Sequence, residues 1–209
     1  MKGILGLLRQ KTAQRPDDQQ DSVLFSTAFA GQGVDSAMLV PWEARAVEVG
    51  AKRLPASQGG KLLQGLWARD KYMAQLPADG IERMERFFDF ATIPANRDLI
   101  QQDEYGNFMV VLLKGTIAVD RVQPWGEHLR LAETRPGDIL GEMSLLDSGI
   151  RFSACTTLTS CEVAVLSADT LDEMMTQAPQ LAASLVALLA RKLSLRLRVV
   201  SARLSDHQK

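Results

Sequence analysis

The sequence is poor in the residues that build metal centres and disulfide frameworks. Its 209 residues include two cysteines and two histidines. Neither His128 nor His207 has another histidine or a cysteine at the short spacing of a metal site, so we expect no metal cofactor. Cys155 and Cys161 stand in a strand-like stretch. We interpret them as small core residues of a protein from a reducing compartment.

The sequence also lacks a long apolar run and an excess of charge of either sign. The apolar start, MKGILGLLR, is too short to span a membrane and has no small-residue cleavage site, so it predicts neither a transmembrane helix nor a signal peptide. The net charge of −1 argues against nucleic-acid binding by the whole surface. Since 46% of the residues are hydrophobic, the chain can still bury a large core. We therefore expect a cytoplasmic protein that consists of one domain with a large extension or of two small domains.

The first third of the chain carries no recognisable chemistry. Residues 11–21 (KTAQRPDDQQD) are polar and predict a linker. Helices are expected at residues 41–49, with Pro41 at the first helical position, at residues 61–74, and after an N-cap at Asp79. A proline and a Gly-Gly pair predict a loop over residues 54–60. We assign residues 1–75 to a helical or irregular N-terminal extension and residues 76–209 to a second domain.

From residue 88 onward, short strand-like segments alternate with turn residues. The segments are residues 88–92, 99–101, 108–113, 116–121, 127–133, 139–140, 154–158 and 162–167. This pattern is typical of an antiparallel sandwich or roll rather than of a βαβ fold. Residues 108–113 are apolar throughout, which predicts a strand buried on both faces. A metal-binding cupin is the neighbouring interpretation, but it needs a histidine cluster that this sequence lacks.

Two helices are expected after the roll. Ser167 can cap a short helix over residues 168–176. Residues 180–205 follow a proline and carry a stripe of leucine and valine at helical spacing. Six cations and one acid between residues 179 and 209 give this end of the chain a net charge of +5. The stripe is either part of the core, with the N-terminal helices as a covering face, or the seam of a homodimer.

Residues 135–154 (RPGDILGEMSLLDSGIRFSA) form the most specific pattern in the chain. Residues 136–138 predict a turn, and Gly141-Glu142 precedes an apolar run that can form one helical turn. A glycine at the start of a short helix lets backbone N–H groups approach an anion. Arg151 can then neutralise a phosphate, while the carboxylate of Glu142 accepts hydrogen bonds from sugar hydroxyls.

This order of residues resembles the phosphate-binding cassette of cyclic nucleotide-binding domains. The matching features are the Gly141-Glu142 pair, the apolar turn, the spacing to Arg151 and the small residues that follow. Outside this segment, the turn at residues 94–96 and Gly115 match as well, and the resemblance covers about residues 76–204. It implies an α+β fold, in which an antiparallel β-roll of the jelly-roll type carries a long C-terminal helix and a mostly helical N-terminal extension.

The resemblance also implies a function. It predicts a regulatory protein, not an enzyme, that binds a cyclic nucleotide such as cAMP or cGMP and signals by moving its C-terminal helix. By analogy with the family, Glu142 would take the ribose 2′-hydroxyl and Arg151 the cyclic phosphate. The expected ligand-binding residues are Gly141, Glu142, Met143, Ser144, Arg151, Phe152, Ser153 and Arg196. The expected partners are this ligand, a second copy bound through the C-terminal helix, and an unidentified protein.

Three positions depart from the family pattern. Phe152 stands where the family usually has alanine, serine or threonine, so a hydroxyl is lost and a ring can crowd the pocket. Ile150 replaces the usual proline or polar residue. Arg196-Leu197 replaces a Thr-Ser pair that contacts the base in bacterial catabolite-activator-type relatives. These departures leave open a degenerate fold that acts as a protein-interaction or scaffold module, and a sensor of a cyclic dinucleotide.

The same relatives continue past the long helix into a helix-turn-helix domain. This chain ends a few residues after Leu204. We therefore expect no DNA-binding domain of that kind here.

Overall fold

The structure is a computed structural model that describes residues 25–75 and 78–206. Within these residues, seven α-helices and eleven β-strands follow one another along the chain. The helices are α1 Phe25–Gly31, α2 Trp42–Glu48, α3 Ala56–Trp67, α4 Ala78–Glu85, α5 Glu142–Asp147, α6 Ala168–Gln177 and α7 Pro179–Asp206. The strands are β1 Leu39–Val40, β2 Lys52–Arg53, β3 Asp89–Ile93, β4 Asp98–Ile100, β5 Tyr105–Gly106, β6 Phe108–Lys114, β7 Ile117–Val122, β8 His128–Glu133, β9 Ile139–Leu140, β10 Ala154–Thr157 and β11 Cys161–Ser167. The apolar start and the predicted linker at residues 11–21 lie outside the described residues.

Two antiparallel sheets form the roll. One has the strand order β4-β10-β7-β8, and the other has the order β2-β3-β11-β6-β9. Apolar side chains from both sheets share one buried core, to which Cys155 and Cys161 belong, as predicted. The short strands β1 and β5 form a separate parallel pair. The predicted fold class, an antiparallel β-roll with a long C-terminal helix, is confirmed.

Strand β6 is buried along both of its faces. Val110 and Leu112 belong to the core between the sheets, while Met109, Val111 and Leu113 belong to a second core beneath the helices. Each fully buried aliphatic side chain contributes about 1.5–3 kcal/mol. The continuous apolar run therefore places β6 inside its sheet, between β11 and β9, as the sequence predicted.

A helical layer covers the outer face of the five-stranded sheet. It consists of α3, α4, α6 and the first half of α7, which share a core with β6 and β11. Leu63, Met84, Leu171 and Leu185 are fully buried in this core. Leu189 is also fully buried, but every residue of α7 from 194 to 202 is exposed. The first half of the leucine stripe is therefore core.

All eight predicted strands of the roll are present, each within one residue of its predicted bounds. The capped helix after the roll is present too, and Ser167 and Thr170 form a reciprocal capping box at its start. Three strands were missed, namely β1, β2 and β5. Each has two residues, which is too short for an alternating apolar pattern.

The loop predicted over residues 54–60 is wrong, because α3 begins at Ala56. Its Gly-Gly pair serves close packing rather than a turn. A Cβ atom on Gly59 would lie 2.3 Å from the Phe90 ring, and one on Gly60 would lie 2.2 Å from the Glu85 carboxylate. The absence of these two side chains lets α3 approach β3 and α4, and this packing outweighs a helix-propensity cost of about 0.5–1 kcal/mol for each glycine.

Two helix starts differ slightly from prediction. Pro41 is the residue before α2 rather than its first residue, with an extended backbone (ψ 163°). Asp79 lies in the first turn of α4, because that helix begins one residue earlier. An acidic side chain in the first turn still interacts favourably with the helix dipole.

A segment of the N-terminal extension packs along the roll. We call residues 39–53, which comprise β1, α2 and β2, the strap. Its first strand pairs with β5 and its last strand pairs with β3. Between them, Trp42 and Val49 of the strap join the core between the sheets. The strap therefore contributes side chains to the roll, while the domain boundary at residues 75–76 stays a prediction.

Two features are absent from the described part of the chain. None of its helices is long and apolar enough to cross a membrane. No group of three or more His, Cys, Asp or Glu side chains in it is placed to hold a metal ion.

Candidate functional site

Gly141 joins β9 to α5 and occupies a position that requires glycine for two reasons. Its backbone is left-handed, with a φ of 75°, which side chains with a Cβ rarely adopt. A Cβ atom here would also lie 2.6 Å from Nη1 of Arg151 and 3.0 Å from Ile100. The glycine thus lets the chain turn into α5 directly against the arginine.

Arg151 is 1% exposed and is held by backbone groups. Its Nη1 donates to the carbonyl of Gly141, and its Nη2 donates to the carbonyl of Phe108, both at 2.8 Å. The guanidinium carbon lies 4.7 Å from the centre of the Phe108 ring. A Cβ on Gly106 would lie 2.6 Å from Nη2. The arginine is therefore fixed in position, yet its Nε has no hydrogen-bond partner.

Burial makes the charge of Arg151 unfavourable. It lowers the pKa of the guanidinium from 12.5 to about 10, while the nearby Glu104 carboxylate acts in the opposite direction. The group stays protonated at neutral pH, so the folded protein bears the free-energy cost of a buried charge. A bound anion would offset this cost, because an opposite charge favours the charged form.

Glu142, the first residue of α5, is buried and paired with the long C-terminal helix. Its carboxylate accepts a hydrogen bond from Nη1 of Arg196, and Nη2 of Arg196 donates to the carbonyl of Ile139 at 2.8 Å. Burial raises the pKa of Glu142, and the positive charges of Arg196 and Arg151 oppose that rise. The acceptor predicted for a sugar hydroxyl is thus engaged by α7.

A second cation of α7 reaches the same segment. Lys192 lies one helical turn before Arg196. Its Nζ is 3.4 Å from the carbonyl of Gly137 and 3.9 Å from the carboxylate of Asp70. Lys192 and Arg196 thus connect α7 to the turn before β9, to β9 and to the start of α5.

The structure brings four of the eight predicted site residues together: Gly141, Glu142, Arg151 and Arg196. The other four lie around them. Ser144 is buried within α5, Met143 is 44% exposed, and Ser153 is partly buried. Phe152 is 50% exposed, and its ring lies 4.0 Å from the guanidinium carbon of Arg121.

Sequence reasoning missed residues that surround Arg151. Gly106 and Phe108 form one wall of its position. The partly buried Glu104 and the buried Arg45 lie just beyond, joined by an ion pair. A signal for Arg45 was available, since it shares the apolar face of α2 with Trp42, Ala46 and Val49 at helical spacing. No sequence signal connects it to Glu104, which is 59 residues away.

Comparison with known proteins identifies this region. Residues 91–178 match the family model described as the cyclic nucleotide-binding domain. A CRP-like cAMP-activated global transcriptional regulator of Mycobacterium tuberculosis is 28% identical over 100 residues, which are 48% of this chain and 45% of that protein. The cAMP-activated global transcriptional regulator CRP of Escherichia coli is 31% identical over 101 residues, 48% of each protein. The chain spans about half the length of the curated relatives it matches.

A solved structure extends the likeness in the fold. A cyclic nucleotide-binding domain from Methylobacillus flagellatus superposes with a TM-score of 0.68 at 21% identity. The match covers 73% of this chain and 86% of that one. The family resemblance predicted from residues 135–154, hereafter the cassette, is confirmed. Residues 91–178 of this chain are a cyclic nucleotide-binding domain.

Proposed function

We propose that this protein is a regulatory sensor that binds a cyclic nucleotide through the cassette. The main support for this proposal is the environment of Arg151. Its guanidinium is nine-tenths buried and is held by two backbone carbonyls, and its Nε has no hydrogen-bond partner. A phosphate oxygen is the group that this N–H and the second hydrogen of Nη2 suit, because an arginine edge binds phosphate with two parallel hydrogen bonds.

The ligand we place first is cAMP. The two curated relatives carry cAMP activation in their names, and the family match at residues 91–178 includes the cassette. A related cyclic mononucleotide such as cGMP, or a cyclic dinucleotide, presents the same phosphodiester and stays a test ligand. We assign the protein to the cytoplasm, because both of its cysteines are free thiols, as expected in a reducing compartment.

Signalling through α7 follows from the pairing of Glu142 with Arg196. A ribose hydroxyl that donates to the Glu142 carboxylate competes with Arg196 for the same oxygen atoms. Loss of that pair would leave the carbonyl of Ile139 and the weaker contact of Lys192 to hold this part of α7. Ligand binding would in this way change how the helix is held against the cassette.

Isothermal titration calorimetry with cAMP, cGMP and cyclic di-GMP tests the proposal. We expect one of them to bind, and we expect Arg151→Ala to weaken that binding about tenfold to a hundredfold, since a charge-assisted hydrogen bond contributes about 1.5–3 kcal/mol. Arg151→Lys should recover little, because lysine lacks the two-pronged geometry.

The matched control is Arg83→Ala, an arginine on α4 whose side chain is 57% exposed. This substitution should leave affinity unchanged. If none of the three ligands binds the wild-type protein, or if Arg151→Ala binds as tightly as wild type, the proposal is wrong.

A second candidate function is a scaffold or protein-interaction module with a degenerate cassette. The observation that favours it is that Glu142 is already paired with Arg196, a residue that departs from the family pattern. A protein that binds none of the cyclic nucleotides but keeps a stable folded roll would support this second candidate.

A further inference from the structure

The strap contacts the backbone that lies against Arg151. Its first strand, Leu39–Val40, pairs in parallel with Tyr105–Gly106. Gly106 is the residue whose missing side chain allows Nη2 of Arg151 to approach. Tyr105 also forms an isolated bridge with Ile150, the residue before Arg151. The strap is thus one strand away from the cassette arginine.

An aromatic contact connects the same two parts. The Trp42 ring of the strap meets the Phe108 ring edge-on, with centroids 5.7 Å apart. The guanidinium of Arg151 lies over that same Phe108 ring, at 4.7 Å. Phe108, which is fully buried, is thus in contact with both the strap and the cassette.

A charged contact completes the junction. Arg45 of the strap is 1% exposed, and its guanidinium pairs with the carboxylates of Glu48 and Glu104. The backbone carbonyl of Glu104 accepts a hydrogen bond from the Arg151 N–H at 2.8 Å. Glu104 therefore serves two buried arginines, one from the strap and one from the cassette.

Both buried arginines of this junction have an unpartnered side-chain nitrogen. Among the described residues, the buried side-chain atoms without a hydrogen-bond partner are Nε of Arg45, Oδ1 of Asn107 and Nε of Arg151. Buried polar atoms are normally satisfied, so the two arginine nitrogens point to groups that find partners in another state.

We infer that the strap is an intramolecular cover, which closes the cassette when no ligand is bound and which a cyclic nucleotide must displace. This inference rests on the proposed function. Arg151 has almost no exposure in the closed state, so a phosphate reaches its Nε only after a neighbouring element moves. The strap lies outside residues 91–178, the part that matches the family, and its displacement would remove Trp42 and Val49 from the core between the sheets.

The charges explain why a phosphate would displace the cover. A phosphate at Arg151 adds a negative charge close to Glu104, and two like charges at one arginine repel. Glu104 is also the residue that holds Arg45. A shift of Glu104 away from the phosphate would weaken the Arg45 pair and release α2.

Amide hydrogen exchange of the unliganded protein tests whether the strap is a cover. The variant is Arg45→Met, and the control is Arg53→Met, which alters an exposed cation of the same strap. We expect exchange in β5 and at the start of β6 to become about tenfold faster in Arg45→Met and to stay unchanged in the control. Unchanged exchange in Arg45→Met would overturn the inference.

Calorimetry with cAMP and cGMP on the same three proteins tests the competition. We expect Arg45→Met to bind about tenfold more tightly than wild type and Arg53→Met to bind equally, because opening the cover no longer opposes binding. Equal affinity overturns the competition. Weaker affinity also overturns it, because Arg45 would then be a ligand-binding group.

Two further outcomes are separable. If Arg45→Met does not fold, hydrogen exchange of the wild-type protein with saturating cAMP or cGMP takes its place, and unchanged protection of the strap overturns the inference. If no cyclic nucleotide binds any of the proteins, the proposed function and the competition fail together, while the exchange of the unliganded variants still decides whether the strap is a cover.

Discussion

At the scale of single residues, Glu142 should make the stability of the protein depend on pH. Burial raises the pKa of its carboxyl group. The folded state therefore holds the proton more tightly than the unfolded state, so the contribution of Glu142 to stability is full at low pH and is lost as the pH rises through the folded-state pKa. Glu142→Gln, which resembles the protonated acid, should gain stability relative to wild type as the pH rises from the ordinary carboxyl pKa of 4.5 through the raised pKa of the folded state.

Urea unfolding at several pH values across that range measures this difference. Glu133→Gln is the control, because the Glu133 side chain is 59% exposed. A difference between Glu142→Gln and wild type that stays constant with pH would contradict the prediction.

Glu142 also carries the predicted recognition of a ribose 2′-hydroxyl. If cAMP binds as proposed, Glu142→Ala and the use of 2′-deoxy-cAMP should each weaken binding about tenfold. Because both changes remove the same hydrogen bond, their combination should also cost about tenfold rather than a hundredfold. Met143→Ala, which truncates the exposed neighbour of Glu142, should leave the tenfold effect of the 2′-deoxy ligand intact. If Glu142→Ala and the 2′-deoxy ligand together weaken binding about a hundredfold, the carboxylate does not bind the ribose hydroxyl and has only a structural role.

At the scale of elements, α3 contains a glycine that packing requires and a glycine that it does not. A Cβ on Gly59 would lie 2.3 Å from the Phe90 ring, whereas one on Gly65 would meet nothing within 4 Å. Gly59→Ala should therefore destabilise the protein by about 1–3 kcal/mol through overpacking. Gly65→Ala should stabilise it by about 0.5–1 kcal/mol, because alanine favours the helix. Thermal or urea unfolding of both variants checks this, and equal effects would show that α3 can shift away from β3.

At the scale of the whole molecule, the second half of α7 leaves apolar side chains exposed. Leu197 and Val200, which are three residues apart and so share one face of the helix, are 66% and 52% exposed. The alternative prediction is that the N-terminal helices cover this part of α7. Trp67 of α3 is instead buried in the core beneath the helices. Burial of the exposed strip against a second copy would remove this surface from water, and a two-fold pair is the simplest arrangement.

We therefore expect the wild-type protein to sediment as a dimer at micromolar concentration and Leu197→Asp to sediment as a monomer. Val47→Asp is the control, because Val47 is 84% exposed on the strap and lies apart from α7. That variant should remain dimeric. A wild-type protein that stays monomeric at high micromolar concentration would show that α7 is not a homodimer interface.

The sequence predicts the roll better than its surroundings, for physical reasons. Turn residues and apolar runs are local signals, so the strands and the segment around Gly141 and Arg151 could be located. The packing role of Gly59 depends on the Phe90 ring, 31 residues later in the chain, and so it could not. The contact between Arg45 and Glu104 likewise depends on how the extension folds against the roll.

The two buried cysteines have a practical consequence. Cys155 lies in the four-stranded sheet and Cys161 in the five-stranded sheet, and the chain has no other cysteine. Burial raises the pKa of Cys155 to about 12 and also raises the pKa of Cys161, so neither is a reactive thiolate at neutral pH while the roll is closed. A thiol reagent added to the native protein will therefore report opening of the core between the two sheets, to which the strap residues Trp42 and Val49 also belong. The molecule thus carries one natural chemical label in each sheet.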